Sequence, residues 1–249
     1  MDLGLRDRVM VVTGGARGIG AAIVQVLTEE GAIAVAVDRT AVPNGVQAEL
    51  SRTDECRRAI ATIAEKYGRI DGLVNNAGVN DGVGLEHGDP ERFVESLRRN
   101  LTHYYEMAHF ALPFLKQSRG AIVNITSKVA ETGQGGTSAY AAANGGRNAL
   151  TREWAAELAK YGIRVNAVVV AECWTPMYEH WLATLPDSQT RRRQIESRIP
   201  LGQRMTTAEE IACAVVFLLS AVSSHTTGQL LHVDGGYVHL DRALQVSGF

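Results

Sequence analysis

Tyr140 is the residue whose neighbours best suit it to move a proton, and Asn144, four positions on, breaks the pattern that would complete the chemistry. A phenol ionises near pH ~10 in water, so it serves as a base at neutral pH only beside a cation that stabilises the phenolate. Positions i and i+4 share one helix face. In Ser138-Ala-Tyr-Ala-Ala-Ala-Asn-Gly-Gly146 the i+4 position holds an amide, which donates a hydrogen bond but brings no charge. The phenol is therefore expected to ionise less readily than it would beside a lysine. Arg147, at i+7, and Lys128, next to Ser127, are the candidates to supply the missing cation. The guanidinium is a larger and differently placed group than an ammonium.

A second constellation lies near the N-terminus, where Thr13-Gly14-Gly-Ala-Arg17-Gly18-Ile19-Gly20 follows one apolar run and precedes another. Glycines let a backbone turn sharply and approach a pyrophosphate, whose charge then sits at a helix N-terminus. Asp38 closes the next apolar run, about 20 residues further on, where an acid would bond the ribose hydroxyls of an adenosine. A carboxylate there repels a 2′-phosphate and favours NAD. Arg17 and Arg39 would welcome that phosphate, so NADP stays open.

These residues need elements to carry them. Apolar runs rich in β-formers occur at Val9–Thr13, Ile33–Val37, Leu73–Asn75, Ala121–Thr126, Arg164–Val170 and Leu230–Val233. Between most of them apolar residues recur at helical spacing, as in Ala21–Glu30, Glu91–Gln117, Tyr140–Tyr161 and Thr207–Leu219. Continuous apolar strands alternating with helices predict an α/β fold: a doubly wound parallel sheet, covered on both faces. Asp89-Pro90 reads as an N-cap followed by proline at the first helical position, and Thr207-Ala-Glu-Glu210 as a capping box. Only Arg39 to Gly45 separate the second run from a candidate strand at Val46–Leu50. A crossover helix needs at least ~10–12 residues, so a bare loop must run there.

The 249 residues, 1–249, suit one domain, with a substrate lid expected over 172–200. A balance of 25 Lys+Arg against 27 Asp+Glu, with Arg191-Arg-Arg193 the only dense basic run, gives no track for nucleic acid. The longest apolar stretch, Ile211 to Leu219, is too short to span a bilayer, so no membrane partner is expected. Acids precede any apolar run at the N-terminus, which does not read as a signal peptide. Three cysteines without a CxxC fit a reduced cytoplasmic setting. No His, Asp or Glu cluster has ligand spacing, and His103, His109, His225, His232 and His239 read as ordinary surface or core positions, so no metal is expected.

The glycine turn, Asn75-Asn-Ala-Gly78, Asn100, Ser127 and Tyr140 fall in an order and spacing that resembles the short-chain dehydrogenase/reductase family, through Arg164-Val-Asn-Ala167 to Val233-Asp-Gly-Gly236. That resemblance implies a Rossmann fold, a homotetramer or dimer packed through helices such as 101–117 and 140–160, and proton chemistry at Tyr140. It implies that Ser127 holds the substrate oxygen and that Asn100 positions a water in a proton relay. Position 144, a lysine in the family, would also hold the nicotinamide ribose. The cofactor would be met by Thr13, Gly14, Arg17, Gly18, Ile19, Gly20, Asp38, Glu49, Leu50, Asn76, Ala77, Gly78, Tyr140, Asn144 and Thr175. The family usually has Pro-Gly where this chain has Val170-Ala171.

Gly78-Val-Asn-Asp-Gly82, Ser127-Lys128, Thr132-Gly-Gln-Gly135, Ala171-Glu172, Tyr178-x-x-Trp181, Ser224-His-Thr-Thr-Gly228 and Gly235-Gly-Tyr-x-His-Leu-Asp-Arg242 carry a closer resemblance, to bacterial L-fucose dehydrogenases. It implies a sugar substrate, oxidised at C1 to the lactone, with Asn80, Lys128, Gln134, Glu172 and Trp181 on the substrate side. Tyr178 and His180 are further pocket candidates, and a mobile lid whose tryptophan simply packs is the plainer alternative. A steroid or other secondary alcohol, and an NAD-binding protein without turnover, remain open as functions. Asn144 itself is consistent with natural loss of activity, an engineered or trapped variant, or a tolerated substitution with residual turnover.

Overall fold

The computed structural model describes residues 2–241; Met1 and Arg242, the last residue of the final motif above, lie outside the described residues. The chain enters through β1 (Val9–Thr13), α1 (Gly18–Glu29), β2 (Ile33–Asp38) and a short β3 (Val46–Gln47). It continues through α2 (Thr53–Tyr67), β4 (Gly72–Asn75), α3 (Pro90–Leu97), α4 (His103–Ser118) and β5 (Ala121–Ser127). Then follow α5 (Ser138–Leu158), β6 (Arg164–Val170), β7 (Cys173–Trp174), α6 (Pro176–Ala183) and α7 (Ser188–Glu196). The described part closes with β8 (Thr206–Thr207), α8 (Ala208–Leu219) and β9 (Leu230–Val233).

Seven strands form one parallel sheet in the order β3-β2-β1-β4-β5-β6-β9. Side chains alternate across each strand, and the alternation sorts the core into two layers. Val9, Val11, Leu73 and Ile122 pack with α2, α4 and α5; Met10, Val12, Val74 and Val123 pack with α1 and α8. This is the doubly wound Rossmann architecture expected from the apolar runs. Strand order reverses between β1 and β4, and the crevice outside the carboxyl ends at such a point is where ligands of these sheets bind.

Local signals explain the element ends. Asp89 caps α3 by accepting the Arg92 N–H, with Pro90 in the first turn, and Thr207 with Glu210 closes a capping box on α8. No helix intervenes between β2 and β3, as the short spacing required. Two expectations need correction. The third strand is only Val46–Gln47, because Ala48 and Leu50 turn into the core instead of continuing the ladder. The stretch read as one helix from Glu91 to Gln117 is broken by a π-helical segment, Arg98–Thr102, that carries Asn100. The Val170-Ala171 path is held by a small second sheet, β7 with β8, and by Thr206 N–H donating to the Glu172 carbonyl at 2.9 Å. Among the described residues no helix is long and apolar enough to cross a membrane.

At the opposite end of the sheet Asp71 holds the strands' entry. It is buried, accepts the Val9 N–H at 2.9 Å, and pairs with Arg8 and Arg69. Burial alone would raise its carboxyl, but hydrogen bonds from Arg69, Val9 and Arg8 outweigh burial and hold it below the usual range. Asp71→Asn is expected to cost about 1.5–3 kcal/mol near pH 7 in denaturant melts. A depressed folded value stabilises above the unfolded carboxylate range, ~4, and that contribution is lost as pH falls through the folded value. The gap between parent and Asp71→Asn should therefore narrow as pH drops below about 4.

Candidate active site

The glycine turn leaves β1 and enters α1 at the switch point. Gly14 and Gly18 take positive φ values of 67° and 57°. A Cβ on Gly20 would lie 2.1 Å from the Gly14 carbonyl, so only glycine lets the first turn of α1 press onto the loop. The N-terminus of α1 has no side-chain cap and no acid in its first turn; Arg17 stands exposed at its N-cap. Its unclaimed N–H groups and positive dipole end face the crevice as an anion cradle. This fits a dinucleotide pyrophosphate. Ile19 packs into the core, and Thr175 lies across the turn, its Cβ 3.7 Å from where a Gly18 Cβ would be.

Thr13 and Asn76 fasten the two sides of the crevice together. The Thr13 hydroxyl accepts the N–H groups of Asn76 and Ala77 at 2.8 and 3.1 Å, and Asn76 Nδ2 donates to the Thr13 and Gly14 carbonyls. Asp38 ends β2, nearly buried, with its carboxylate accepting Ala16 N–H at 3.1 Å and Thr40 N–H at 2.9 Å. It thus braces the glycine turn from the end of β2. Arg39 is exposed. Glu49 is exposed and its carboxylate accepts the N–H and hydroxyl of Ser51, while the Leu50 side chain belongs to the core.

Around Tyr140 the structure gathers the proton-handling candidates. Asn100, buried in the π turn, accepts the Val79 N–H at 2.8 Å on its side chain and donates to the Ser96 carbonyl. Its own carbonyl accepts Arg147 Nε–H at 2.6 Å. Asn144 is buried, donates to the Tyr140 carbonyl at 2.8 Å, and accepts Arg147 Nη1–H at 3.0 Å. The Tyr140 ring is half-buried on α5, its centroid 6.0 Å from the Arg147 guanidinium carbon. Ser127 ends β5 in register with Val170 of β6, and its hydroxyl accepts the Val129 N–H at 3.5 Å. Gly78 lies where Asn100 and Arg147 converge: a Cβ there would sit 3.0 Å from Asn100 Oδ1 and 2.9 Å from Arg147 Nη2.

The substrate-side candidates divide. Lys128, nearly buried, pairs with Glu172 and stands 4.0 Å from the Tyr237 ring centroid. The other Glu172 oxygen accepts the Tyr178 hydroxyl at 2.8 Å, and Trp181 packs edge-on against Tyr178. Burial, then the Glu172 carboxylate, push the Tyr178 hydroxyl well up, which keeps it a donor. Asn80 and Gln134 are exposed; Asn80 accepts the Gly82 N–H within its own turn, and Gln134 stands on the loop after β5. His180 is exposed on α6. Burial pushes the Cys173 thiol up to about 12 and raises that of Cys56 as well, which argues against a reactive thiolate.

Two arrangements were not foreseen. Glu131, His232 and His239 come together with their ligand atoms within 4.8 Å, and His232 meets Glu131 at 3.1 Å. Residues this far apart in sequence give no spacing signal, so their convergence depends on β9 lying beside β6. The burial of Arg147, with every acceptor neutral, was likewise invisible, although its i+7 position on the Tyr140 face was a usable hint.

The comparisons with known proteins agree with this geometry. A family model described as Enoyl-(Acyl carrier protein) reductase matches residues 14–238. The chain is 36% identical to an L-fucose dehydrogenase of Bos taurus, covering 95% of this chain and 92% of that protein. It is also 36% identical to a 3-oxoacyl-[acyl-carrier-protein] reductase, FabG, of Thermotoga maritima, covering 94% and 99%. The solved structure of Cj0485 dehydrogenase superposes with a TM-score of 0.96 at 43% identity, covering 99% of this chain and 100% of that one.

The turn geometry yields a direct test. Gly20→Ala is expected to cost about 1–3 kcal/mol of stability, since the methyl must displace backbone rather than a flexible side chain. Dinucleotide affinity, read by calorimetry, should fall at least ~10-fold as α1 lifts off the turn. Unchanged affinity would show that the cradle lies elsewhere.

Proposed function

Because the chain belongs to the short-chain dehydrogenase/reductase family, an NAD(P)-dependent oxidoreductase family, we propose that it oxidises an aldose such as L-fucose at C1 to the lactone. The observation that carries the sugar reading is the Lys128–Glu172–Tyr178 cluster, walled by Trp181, beside the carboxyl ends of β5 and β6. A carboxylate grips paired hydroxyls, the ammonium and phenol hold that carboxylate in place, and an aromatic wall packs on a sugar face. Similarity to an L-fucose dehydrogenase supports the same reading.

In the proposed reaction Tyr140, as phenolate, accepts the proton of the C1 hydroxyl while Ser127 donates a hydrogen bond to that oxygen. The nicotinamide, when bound, supplies the acceptor for the C1 hydride. Asp38 favours NAD by repelling a 2′-phosphate, with NADP admitted through Arg17 and Arg39. Thr175 would meet the nicotinamide end and Asp38 the adenosine ribose. Segment 172–200, carrying α6 and α7, would act as the substrate lid. The proposal includes a cytoplasmic homotetramer packed through α4 and α5.

Asn144 tempers the rate. Its amide is buried and turned toward the Tyr140 carbonyl and Arg147, so residue 144 offers neither a charge nor an exposed group to the nicotinamide ribose. Turnover is expected to be below that of lysine-bearing relatives.

The deciding assay is NAD reduction on L-fucose, D-arabinose and L-galactose from about pH 7 to 10. At least one sugar should turn over, and Tyr140→Phe should remove 10²-fold or more, roughly, of that rate. Turnover of a secondary alcohol or steroid but no sugar would sink the aldose reading. Tight NAD binding with no turnover at all would point to a non-catalytic role.

A further inference from the structure

Arg147 is only 2% exposed, yet among the described residues it meets no carboxylate. Its acceptors are all neutral: the Asn100 carbonyl at 2.6 Å, the Ile125 carbonyl at 3.3 Å and Asn144 Oδ1 at 3.0 Å. The guanidinium lies 4.2 Å from the Tyr104 ring centroid, and its Nη2 has no partner. A buried cation without a counter-ion is costly, and the usual remedies are a paired acid or loss of the proton. Arginine cannot lose its proton. Its field is felt next door, where burial and then the Arg147 charge press His103 down to about 3, keeping that imidazole neutral.

The missing anion can be one that forms only during the reaction. Tyr140, with its ring centroid 6.0 Å from the guanidinium carbon, is the acidic group on the same helix face. Asn144 stands between the two, its Nδ2 donating to the Tyr140 carbonyl and its Oδ1 accepting from Arg147. A lysine at 144 would remove that acceptor and set a second cation against the first. Gly78 leaves the space that Nη2 occupies. The loss of charge at 144 and its presence at 147 are therefore one arrangement.

We infer that Arg147 takes the place of a lysine at position 144 as the cation behind the Tyr140 phenolate, with Asn144 as the residue that positions it. Both act through Tyr140 and neither reaches the substrate. The inference rests on the dehydrogenase reading of Tyr140. Other groups near the phenol do not compete for the role. From α4 come neutral His103 and Tyr104, whose hydroxyl donates to the Ile125 carbonyl; the Lys128 charge, on the turn after β5, is paired with Glu172. Being buried, Arg147 supplies charge but no hold on the nicotinamide ribose.

The test compares the parent with Arg147→Met, Arg147→Lys and Asn144→Lys/Arg147→Met. The first readout needs neither cofactor nor substrate: alkaline titration of tyrosinate absorbance, as the difference between each protein and the same protein carrying Tyr140→Phe. The second is kcat on L-fucose against pH. Arg147→Met should shift the Tyr140 signal to higher pH and lower kcat near pH 7 by ~10²-fold, with the rate climbing about tenfold per pH unit. Arg147→Lys keeps a cation at that depth and should titrate near the parent, which guards against a simple folding loss. The double variant should recover both the titration and the rate. The same titration in parent and Arg147→Met would overturn the inference. So would a loss that the double variant fails to recover and that leaves the pH profile unchanged, since that marks a packing role. Silence of every variant on sugars, with the titration shifting as described, sinks the aldose reading and supports this one.

Discussion

Everything at the catalytic end depends on how β1 and β4 are held where the sheet reverses its winding. Their crossover helices leave in opposite directions, so the crevice between them has no helix to close it. The Thr13 hydroxyl accepts two backbone N–H groups from the chain leaving β4, and Asn76 returns hydrogen bonds to the chain leaving β1. This exchange satisfies backbone groups that would otherwise be orphaned in a buried place. It also fixes the height of the glycine turn against the Asn75–Gly78 segment. With that height set, Asp38 can brace the turn from one side and Asn100 can hold Val79 from the other.

A second layer of polar contacts ties the helix that carries Tyr140 to the same frame. Asn75 donates to Asn124, and Asn124 donates to Thr151 on α5, so a buried amide chain runs from β4 through β5 into the helix that carries Tyr140. Arg147 adds links from α5 to the π turn and to the β5 carbonyl of Ile125. Each of these links resists movement of the helix against the sheet, although Asn75 Oδ1 and Arg147 Nη2 are left without a partner. The helix bearing the phenol is thereby registered to the sheet by hydrogen bonds as well as by packing.

Much of this was legible in the sequence because its signals are local. Apolar runs marked the strands, the glycine turn announced its own geometry, and Pro90 and Thr207 declared where helices start. The failures share a physical cause. A π turn adds a residue without erasing the apolar stripe, so Glu91–Gln117 looked uninterrupted although Arg98–Thr102 is wound more widely. Val46–Leu50 has the composition of a strand, but Leu50 is drawn into the core beneath α2 and the ladder ends early. The Lys128–Glu172 pair joins the segments that follow β5 and β6, and the Glu131–His232 contact joins the segment after β5 to β9; no spacing rule reports such meetings. Arg147 shows the limit best: its place on the Tyr140 face was readable, whereas its burial among neutral acceptors comes in part from the π turn and β5.

The two-residue sheet of β7 and β8 changes what kind of object the segment between them is. Trp174 pairs with Thr207 and Cys173 with Thr206, so α6 and α7 hang from a stitched base rather than trailing from β6 as a free arm. A loop with both ends fixed has already met its closure entropy, and further length adds little: each doubling costs about 0.6 kcal/mol. The base can therefore stay constant while the handle above it grows, shrinks or changes its inner lining. In the proposed reading, substrate range becomes a matter of tailoring one tethered handle, with the sheet and the helix that carries Tyr140 left untouched.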